Sequence, residues 1–430
     1  MQVQEEQRIV VIGAGLAGLA AAKELIGHDL DVLVLEARDR IGGRTWTSSK
    51  WPGMPMDLGA SWIHGVTGNP LTRVAESAGA ELLETSYERT IVFNSDGKPL
   101  TEAQEKDMEK LRKQIWLALG AAQDGDLDKS VGQVIEELLV RLKLGEQAQR
   151  FARFIVNAEI EQEYAGSLQR LSSYWYDNAE EFDGEDMLFA DGYQSVVNHL
   201  AQGLTIRTGQ VVREIDWSAL PIQIVAESDR FSADRVIVTL PLGVLKAGAV
   251  RFSPELPASK TKALQKLEMG TLNKCYLRFS QIFWPKDVDW LEYVSEHAGT
   301  WSQWVSFAIP ANAPVQLGFN AADRGREIEA LSDEKIVASA MGTLKKMFGN
   351  GIPEPLDYQI TRWGMDPFAR GSYSFNPVGT DPKAREQLAA VVNDRLYFAG
   401  EATEQDYFGT AHGAYLSGVR AAKEIIDKIS

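Results

Sequence analysis

The sequence contains very little cysteine and histidine. Cys275 is the only cysteine among 430 residues, and there are five histidines. A single cysteine excludes an intramolecular disulfide and a multi-cysteine metal site, and the histidines show no metal-ligand spacing such as HExxH. We therefore expect no bound metal and a reducing compartment, which indicates a cytoplasmic protein.

Basic residues are scarce relative to acidic ones. The chain has 44 Lys and Arg against 60 Asp and Glu, which gives a formal net charge of −16. This balance argues against a nucleic-acid partner, because such proteins need a basic surface. The acidic excess would attract small cationic molecules, or it could serve only to keep the protein soluble.

Long apolar runs are also missing. No stretch of about 18 consecutive apolar residues is present to span a membrane, and residues 1–8 lack the basic n-region of a signal peptide. The 430 residues, of which 44% are hydrophobic, predict about two or three folded domains that can bury a large cofactor. We expect a monomer or a weak dimer without a membrane partner.

The N-terminal segment predicts a nucleotide-binding turn. Residues 8–12 are apolar and β-branched enough for a buried parallel strand, and a helical run to Ile26 follows the motif GAGLAG. In that motif Gly13 permits the tight turn, Gly15 lets the backbone approach a pyrophosphate, and Gly18 allows close helix packing. The motif is shared by NAD, NADP and FAD proteins, so it does not choose between them.

A second predicted strand, at residues 31–35, ends in Glu36. A carboxylate at this place can accept hydrogen bonds from both ribose hydroxyls of a dinucleotide. The alternative is a strand-end carboxylate that faces water.

The stretch that begins at Glu36 distinguishes FAD from nicotinamide. Residues 36–44, EARDRIGGR, resemble the flavin amine oxidase family, in which a glycine pair and an arginine follow the ribose carboxylate and meet the pyrophosphate. The resemblance implies that Arg38, Gly43 and Arg44 bind FAD. Arg44 can pair with phosphate oxygens, and the glycines let the backbone come close.

Further blocks extend the resemblance over nearly the whole chain. Residues 395–403, RLYFAGEAT, and 410–418, TAHGAYLSG, again predict a strand, a turn and a helix. They imply Glu401 on the ribityl chain and a helix start at Thr410 and Ala411 under the flavin pyrimidine, where the helix dipole would stabilise negative charge. The other residues assigned to FAD by the resemblance are Gly59, Ala60, Ser61, Trp62, Val212, Trp363 and Gly400.

Lys274 lies in the alternating segment 270–279, GTLNKCYLRF. The alternation places Cys275, Leu277 and Phe279 on one face and Lys274 and Tyr276 on the other. The pattern alone favours an exposed lysine. The segment and the following FWP resemble the family strand whose lysine hydrogen-bonds a water beside flavin N5, which implies that Lys274 is buried and catalytic.

Other segments resemble polyamine oxidases in particular. WIHG at 62–65 and GNP at 68–70 imply that Trp62 and His64 contact the substrate amine, although a lone histidine is more often structural. RWGMDPFARGSYS at 362–374 also resembles the lysine-specific histone demethylases. Its Tyr373 matches one wall of the aromatic cage that holds the amine, so we assign Tyr373 and His64 to catalysis beside Lys274.

Two positions depart from monoamine oxidases. Thr410 stands where the second aromatic wall of their cage would be, an arrangement that resembles spermine oxidases. Ser372 stands where monoamine oxidases carry the cysteine that tethers FAD. The resemblance therefore implies non-covalent FAD.

An acidic run precedes these segments. Glu159, Glu161 and Glu163 occupy alternate positions, which a strand would place on one face. They could receive a distal ammonium group of the substrate, or they could form a solvated face. The resemblance favours Glu161 as the substrate-binding carboxylate.

The fold implied by the resemblance is a doubly wound, Rossmann-like α/β domain for FAD with a mixed α/β substrate-binding domain. We expect the FAD-binding domain to comprise residues 1–80, 190–263 and 370–430. The helix-rich stretch 81–189 and the strand-rich stretch 264–369 would form the substrate-binding domain.

The activity implied by the resemblance is oxidation of cationic polyamines such as spermine and spermidine. Hydride passes from the carbon beside a neutral nitrogen to flavin N5, the imine hydrolyses to an aldehyde and an amine, and O2 reoxidises the flavin to give hydrogen peroxide. The alternatives are a monoamine or L-amino-acid oxidase, a demethylase-like protein acting in a complex, and an inactive flavoprotein scaffold.

Overall fold

The computed structural model describes residues 7–429. Residues 1–6, to which most of the signal-peptide prediction refers, and residue 430 lie outside the described residues. The strands are β1 Arg8–Ile12, β2 Asp31–Leu35, β3 Thr47–Ser48, β4 Met56–Asp57, β5 Trp62–Ile63, β6 Leu82–Thr85, β7 Thr90–Phe93, β8 Asp186–Phe189, β9 Thr205–Arg207, β10 Val212–Asp216, β11 Ile222–Ala226, β12 Arg230–Ala233, β13 Arg235–Val238, β14 Arg251–Ser253, β15 Glu268–Met269, β16 Leu272–Arg278, β17 Trp290–Tyr293, β18 Gln303–Ser306, β19 Val315–Ala321, β20 Asp357–Ile360, β21 Ser374–Phe375 and β22 Leu396–Phe398.

The α-helices are α1 Leu16–Ile26, α2 Pro70–Ser77, α3 Glu102–Gln123, α4 Val131–Leu142, α5 Glu146–Val156, α6 Gln162–Tyr164, α7 Gln194–Ala201, α8 Leu242–Lys246, α9 Ala258–Lys266, α10 Ala322–Glu329, α11 Asp333–Phe348, α12 Lys383–Ala389 and α13 Ala411–Ile429. A π-helix, Asn157–Glu161, joins α5 to α6, and a short 3-10 helix, Glu401–Thr403, follows β22.

A parallel sheet in the order β22–β13–β1–β2–β9 carries the N-terminal motif. The predicted strands β1 and β2 and the helix that ends at Ile26 are confirmed. Successive residues of β1 face opposite sides of the sheet, because side chains alternate along a strand. Val11 packs with α1, α7 and α13, whereas Val10 packs with β10 and β11.

The two faces of this parallel sheet are covered differently. Helices lie on one face, and a four-stranded sheet in the order β12–β11–β10–β14 lies on the other, where a doubly wound domain would carry further helices. The second layer is a sheet because Ile222, Ile224 and Ala226 alternate with more exposed residues and bury one face of β11. The mixed α/β character of the fold is confirmed.

A second large sheet has the order β20–β16–β19–β18–β17–β7. The predicted alternation in β16 is confirmed, because Cys275 and Leu277 pack against α11 while Tyr276 packs on the opposite face. All strands of this sheet come from residues 81–189 and 264–369, and those of the parallel sheet come from the other three segments. The domain boundaries themselves stay a prediction.

The acidic run lies in a helix and not in a strand. Residues 157–164 continue α5 as a π-helix and a short α-helix. Ala158 and Ile160 belong to the core formed with α3, α4 and α5, and Glu159 pairs with Arg112 of α3. In a helix, residues two apart point in different directions, so the three glutamates do not share one face.

Candidate active site

A cavity of about 940 Å³ is lined by residues of both large sheets and of the loops that join them. This volume lies near the upper end of the range for small-molecule sites, about 300–1,000 Å³. The structure brings most of the sequence-predicted site residues to this cavity. They are Gly13, Gly15, Glu36, Arg38, Gly43, Arg44, Gly59, Ala60, Ser61, Trp62, His64, Val212, Lys274, Trp363, Tyr373, Gly400, Glu401, Thr410 and Ala411.

Gly18 and Glu161 do not line the cavity. Gly18 instead lets α1 pack against the first turn, since a Cβ atom there would stand 1.9 Å from the carbonyl oxygen of Gly13. Glu161 accepts hydrogen bonds from Asn157 Nδ2 at 2.8 Å and from the Leu168 amide at 3.3 Å. The choice of Glu161 as the substrate-binding carboxylate is therefore corrected by its position.

The glycine turn and Glu36 form one end of the cavity. Glu36 is buried, and its carboxylate accepts hydrogen bonds from the Ala14 amide at 2.8 Å and the Arg38 amide at 2.9 Å. Two backbone donors thus hold the carboxylate at the end of β2, beside the N-terminus of α1. Each oxygen retains lone-pair capacity for a further donor such as a ribose hydroxyl.

This end of the cavity fits FAD. A Cβ atom added to Gly15 would have no protein atom nearer than 4.0 Å, and one added to Gly400 would have none within 4 Å. Both glycines line the cavity, so their backbones leave room for a ligand to approach closely. The amide groups at the start of α1 favour a phosphate, and Glu36 favours a ribose.

Arg44 and Glu401 form a buried ion pair, with Arg44 Nη1 2.8 Å from Glu401 Oε1. Arg44 Nη1 also donates to the Ser372 carbonyl oxygen at 2.8 Å. Glu401 Oε2 accepts from the Ser374 hydroxyl at 2.6 Å. Burial alone would raise the pKa of Glu401, but Arg44 and the Ser374 hydrogen bond bring it below its ordinary value. Glu401 is therefore a carboxylate at neutral pH.

Lys274 is 5% exposed, so the exposed position favoured by the alternating pattern is not found. Its Nζ atom donates to the carbonyl oxygens of Asp57 at 2.9 Å and Gly59 at 2.7 Å, and to the Ser61 hydroxyl. Burial lowers the pKa of Lys274, while the negative charge of Asp57 opposes that shift. Burial likewise raises the pKa of Asp57. Lys274 at the cavity wall and Asp57 behind it are therefore two buried groups whose charges influence each other, although Lys274 Nζ contacts the backbone of Asp57 and not its carboxylate.

Aromatic rings form one wall of the cavity beside Lys274. The ring of Trp62 stacks on Trp290 at 6.1 Å, and Trp290 stacks on Tyr87 at 4.3 Å. Phe319 lies 6.3 Å from both tryptophans. Such faces attract cations, and Lys274 Nζ already lies 5.5 Å from the Trp62 ring.

His64 faces the cavity with 62% of its side chain accessible, and its Nδ1 atom lies 3.2 Å from Asp186 Oδ2. The protein that encloses the cavity partly desolvates the imidazole, which would lower the pKa of His64. The hydrogen bond and charge of Asp186, with the charges of Glu163 and Glu181, outweigh this and raise the pKa above its ordinary value. Glu163, Glu181 and Asp186 all line the cavity. This acidic cluster lies around His64 and gives one region of the cavity a negative charge.

Tyr373 and Thr410 have their hydroxyl groups held by the backbone. Tyr373 Oη donates to the Gln162 carbonyl oxygen at 2.8 Å. Thr410 Oγ1 donates to the Tyr407 carbonyl oxygen and accepts from the Gly413 amide at 2.9 Å, which caps the start of α13. The helix start predicted at Thr410 and Ala411 is confirmed.

Sequence reasoning missed several cavity residues: Tyr87, Glu181, Asp186, Trp290 and Phe319. Phe319 could be found only from the pairing of β16 with β19, which places it directly opposite Lys274. Glu163 was among the three candidate carboxylates, but Glu161 was favoured over it. The others are isolated residues on separate elements and carry no local signal.

The described residues contain neither a metal-binding cluster nor a membrane-spanning helix. Across residues 7–429, no set of three or more His, Cys, Asp and Glu side chains is arranged to hold a metal ion. In the same range, no helix combines the length and the apolar character needed to cross a membrane.

Known proteins resemble this chain over most of its length. Residues 16–426 match the family model described as "Flavin containing amine oxidoreductase". Polyamine oxidase 2 from Arabidopsis thaliana is 34% identical over 432 residues, which cover 97% of this chain and 87% of the relative. Polyamine oxidase 3 from Oryza sativa subsp. japonica is 35% identical, with 96% and 88% covered.

A histone demethylase relative and a solved structure extend the comparison. Lysine-specific histone demethylase 1 homolog 2 from Arabidopsis thaliana is 32% identical over 98% of this chain, but the match covers only 58% of that protein. The structure of putrescine oxidase bound to putrescine has a TM-score of 0.80 at 21% identity, covering 98% of this chain and 99% of that one. At this identity the structural likeness shows the fold alone.

Proposed function

This chain belongs to the family of flavin-containing amine oxidoreductases, and we propose that within this family it oxidises polyamines of the spermine and spermidine type. The chain is an FAD-dependent amine oxidase. The observation that carries the polyamine proposal is the acidic cluster of Glu163, Glu181 and Asp186 in the same cavity as the aromatic wall. His64 pairs with Asp186, so a substrate with one amine would leave Glu163 and Glu181 without a counter-charge.

An extended polycation matches the distribution of charge in the cavity. Its distal ammonium groups would be stabilised by the acidic cluster and by the faces of Trp62, Trp290 and Tyr87. Polyamine oxidases 2 and 3, which are 34% and 35% identical to this chain, support the same substrate class. A neutral aromatic amine would use the rings but gain nothing from the carboxylates.

The reacting nitrogen must be neutral, because a protonated amine has no lone pair to assist loss of hydride from the adjacent carbon. FAD, when bound, supplies the hydride acceptor. Lys274 suits this requirement, because it carries no negative charge that would stabilise a protonated substrate nitrogen, and burial lowers its own pKa. His64 would contact the substrate amine, and Tyr373 and Trp62 would enclose it.

Substrate profiling tests the proposal. The purified yellow protein is incubated with spermine, spermidine, benzylamine, phenylethylamine, an L-amino acid and a methyl-lysine peptide, and products are identified by mass spectrometry. We expect kcat/KM to be highest for the polyamines and their advantage to shrink with added salt, because salt screens the acidic cluster. A higher kcat/KM for a monoamine, an amino acid or the peptide would show that the protein is a monoamine oxidase, an amino-acid oxidase or a demethylase instead.

A matched pair of variants tests the carboxylates. Glu163→Gln should lower kcat/KM for spermine by about two- to fivefold, as expected for a solvent-accessible charge pair of up to about 1 kcal/mol. Glu161→Gln is the control, since Glu161 does not line the cavity. If Glu161→Gln lowered kcat/KM for spermine and Glu163→Gln did not, Glu161 and not Glu163 would be the substrate-binding carboxylate.

A further inference from the structure

Arg385, on α12, is a completely buried cation that belongs to none of the motifs. The side chain is 0% exposed, and it lies behind the cavity wall formed by Ser374, Glu401 and Phe408. Its guanidinium stands 4.0 Å from the centre of the Phe408 ring. Within the described part of the chain, Arg385 makes no salt bridge with a carboxylate, and its Nη2 atom has no hydrogen-bond partner.

Arg385 donates to Asn376 Oδ1 at 3.1 Å and to the Ala402 carbonyl oxygen at 3.4 Å, and a further hydrogen bond leads to Glu401 through one hydroxyl group. Arg385 Nη1 donates to Ser374 Oγ at 2.8 Å, and Ser374 Oγ donates to Glu401 Oε2 at 2.6 Å. An arginine can only donate hydrogen bonds, so the serine oxygen must accept from it and direct its own proton to the glutamate. Arg385 therefore fixes the orientation of the Ser374 hydroxyl.

A direct salt bridge does not account for the burial of this charge. A buried charge without a directly paired carboxylate costs several kcal/mol of desolvation, and an apolar residue of similar size often stabilises a protein at least as well. Burial lowers the pKa of Arg385 to about 9, with Glu401 and Glu404 opposing the shift, so the guanidinium remains charged at neutral pH. The charge is retained where Glu401 benefits from it.

We propose that Arg385 is a positioning residue for FAD, which holds Glu401 ionised and correctly oriented through Ser374. Arg44 contacts Glu401 from the cavity side and Arg385 acts from behind, so two cations flank this carboxylate. The remaining contacts to its side chain are the Ser374 and Gly409 amides, which both donate to Glu401 Oε2 at 3.2 Å. Without Arg385, Glu401 would take up a proton at higher pH and lose an acceptor site for the cofactor.

The test is release of FAD from the diluted holoenzyme, followed by flavin fluorescence between pH 8 and pH 5.5. The wild type should retain FAD with little pH dependence. Arg385→Gln should bind FAD more weakly at pH 5.5 than at pH 8, by no more than about tenfold, because Arg385 lowers the pKa of Glu401 less than Arg44 does and each pH unit below a raised carboxyl pKa is worth up to a factor of about ten. Arg385→Lys should restore most of the retention, since lysine keeps a charged donor.

Lys260→Met is the matched control. Lys260 is also a buried basic residue beside α12, where its Nζ atom donates to the Leu388 carbonyl oxygen at 2.5 Å, but within residues 7–429 it makes no hydrogen bond or ion pair with Ser374 or Glu401. It should lower the melting temperature without making FAD release pH-dependent. The same pH dependence in Lys260→Met and Arg385→Gln would show that α12 acts only as a structural support.

Ser374→Ala keeps the test decisive if Arg385→Gln does not fold. It removes the hydroxyl that links Arg385 to Glu401 and leaves the buried cation in place. We expect acid-sensitive FAD release in this variant as well. Retention of FAD that stays independent of pH in Ser374→Ala or in Arg385→Gln would overturn the proposal, whatever substrate the wild type prefers.

Discussion

Replacing Lys274 by methionine is the most informative change to this site. Methionine keeps an unbranched stem of similar length and removes the amine that contacts Asp57, Gly59 and Ser61. The acceptors are not left wholly unpaired. The Asp57 carbonyl oxygen still accepts from Tyr276 Oη at 2.7 Å, and the Gly59 carbonyl oxygen still accepts from Ser61 Oγ at 3.3 Å.

The structure therefore separates the cost to stability from the cost to activity. Each of the three lost hydrogen bonds lies at the low end of about 1–3 kcal/mol, because the acceptors stay partly paired. A total of about 3 kcal/mol leaves the domain folded, given a typical stability of about 5–15 kcal/mol. The loss of a positioned polar group in a dry active site costs about 3 kcal/mol, or a hundredfold or more in rate. FAD content should be unchanged.

Stopped-flow spectroscopy of the two half-reactions measures the effect. Anaerobic mixing with spermine reports flavin reduction, and mixing reduced enzyme with O2 reports reoxidation; we expect Lys274→Met to slow one or both by about a hundredfold. Lys262→Met, at an exposed lysine on α9, is the control and should behave as wild type. Wild-type rates in both half-reactions of Lys274→Met would refute a catalytic role for Lys274.

Three further outcomes are expected. Heat or acid should release all FAD from the chain, because Ser372 stands in place of a tethering cysteine. The Ser372 hydroxyl accepts a hydrogen bond from the Leu272 amide and donates one to the Leu272 carbonyl oxygen. Flavin fluorescence that stays on the denatured chain in a gel would contradict this prediction. Glu36→Ala should weaken FAD retention after dialysis by about 5- to 150-fold, the equivalent of about 1–3 kcal/mol, and unchanged flavin content would count against the ribose assignment. Burial, with a smaller effect of His64, lowers the pKa of His412 to about 4 from 6.5. Between those values the unfolded chain binds a proton that the folded chain does not, so stability should fall as pH drops, by up to about 1.4 kcal/mol per unit. In urea denaturation, the free energy of unfolding of His412→Phe should depend less on pH than that of the wild type. An unchanged slope would show that other groups cause the pH dependence.

Much of the cofactor end could be predicted because its signals are local. The strand, glycine turn and helix at residues 8–26 and the carboxylate at Glu36 depend on residues close in sequence, so periodicity and glycine placement identify them. The two faces of β16 follow from the same period of two. The alternation could not decide whether the Lys274 face is buried, and family resemblance was needed for that.

The acidic run shows where local reasoning fails. Glu159, Glu161 and Glu163 alternate as in a strand, yet they continue α5, and Ala158 and Ile160 between them belong to the core formed with α3 and α4. Sequence periodicity reports only how residues alternate within one element. It contains no information about which distant element will pack against that face.

The remaining cavity residues depended on such distant contacts. Asp186 reaches His64 from β8, Trp290 reaches Trp62 from β17, and Arg385 reaches Glu401 through Ser374. The sequence motifs were sufficient for the cofactor class and the buried strands, since these follow from turn geometry and side-chain period. The charge around the substrate and the cations around Glu401 arise only when the sheets and helices pack, because electrostatic and stacking interactions depend on distance in space rather than on separation along the chain.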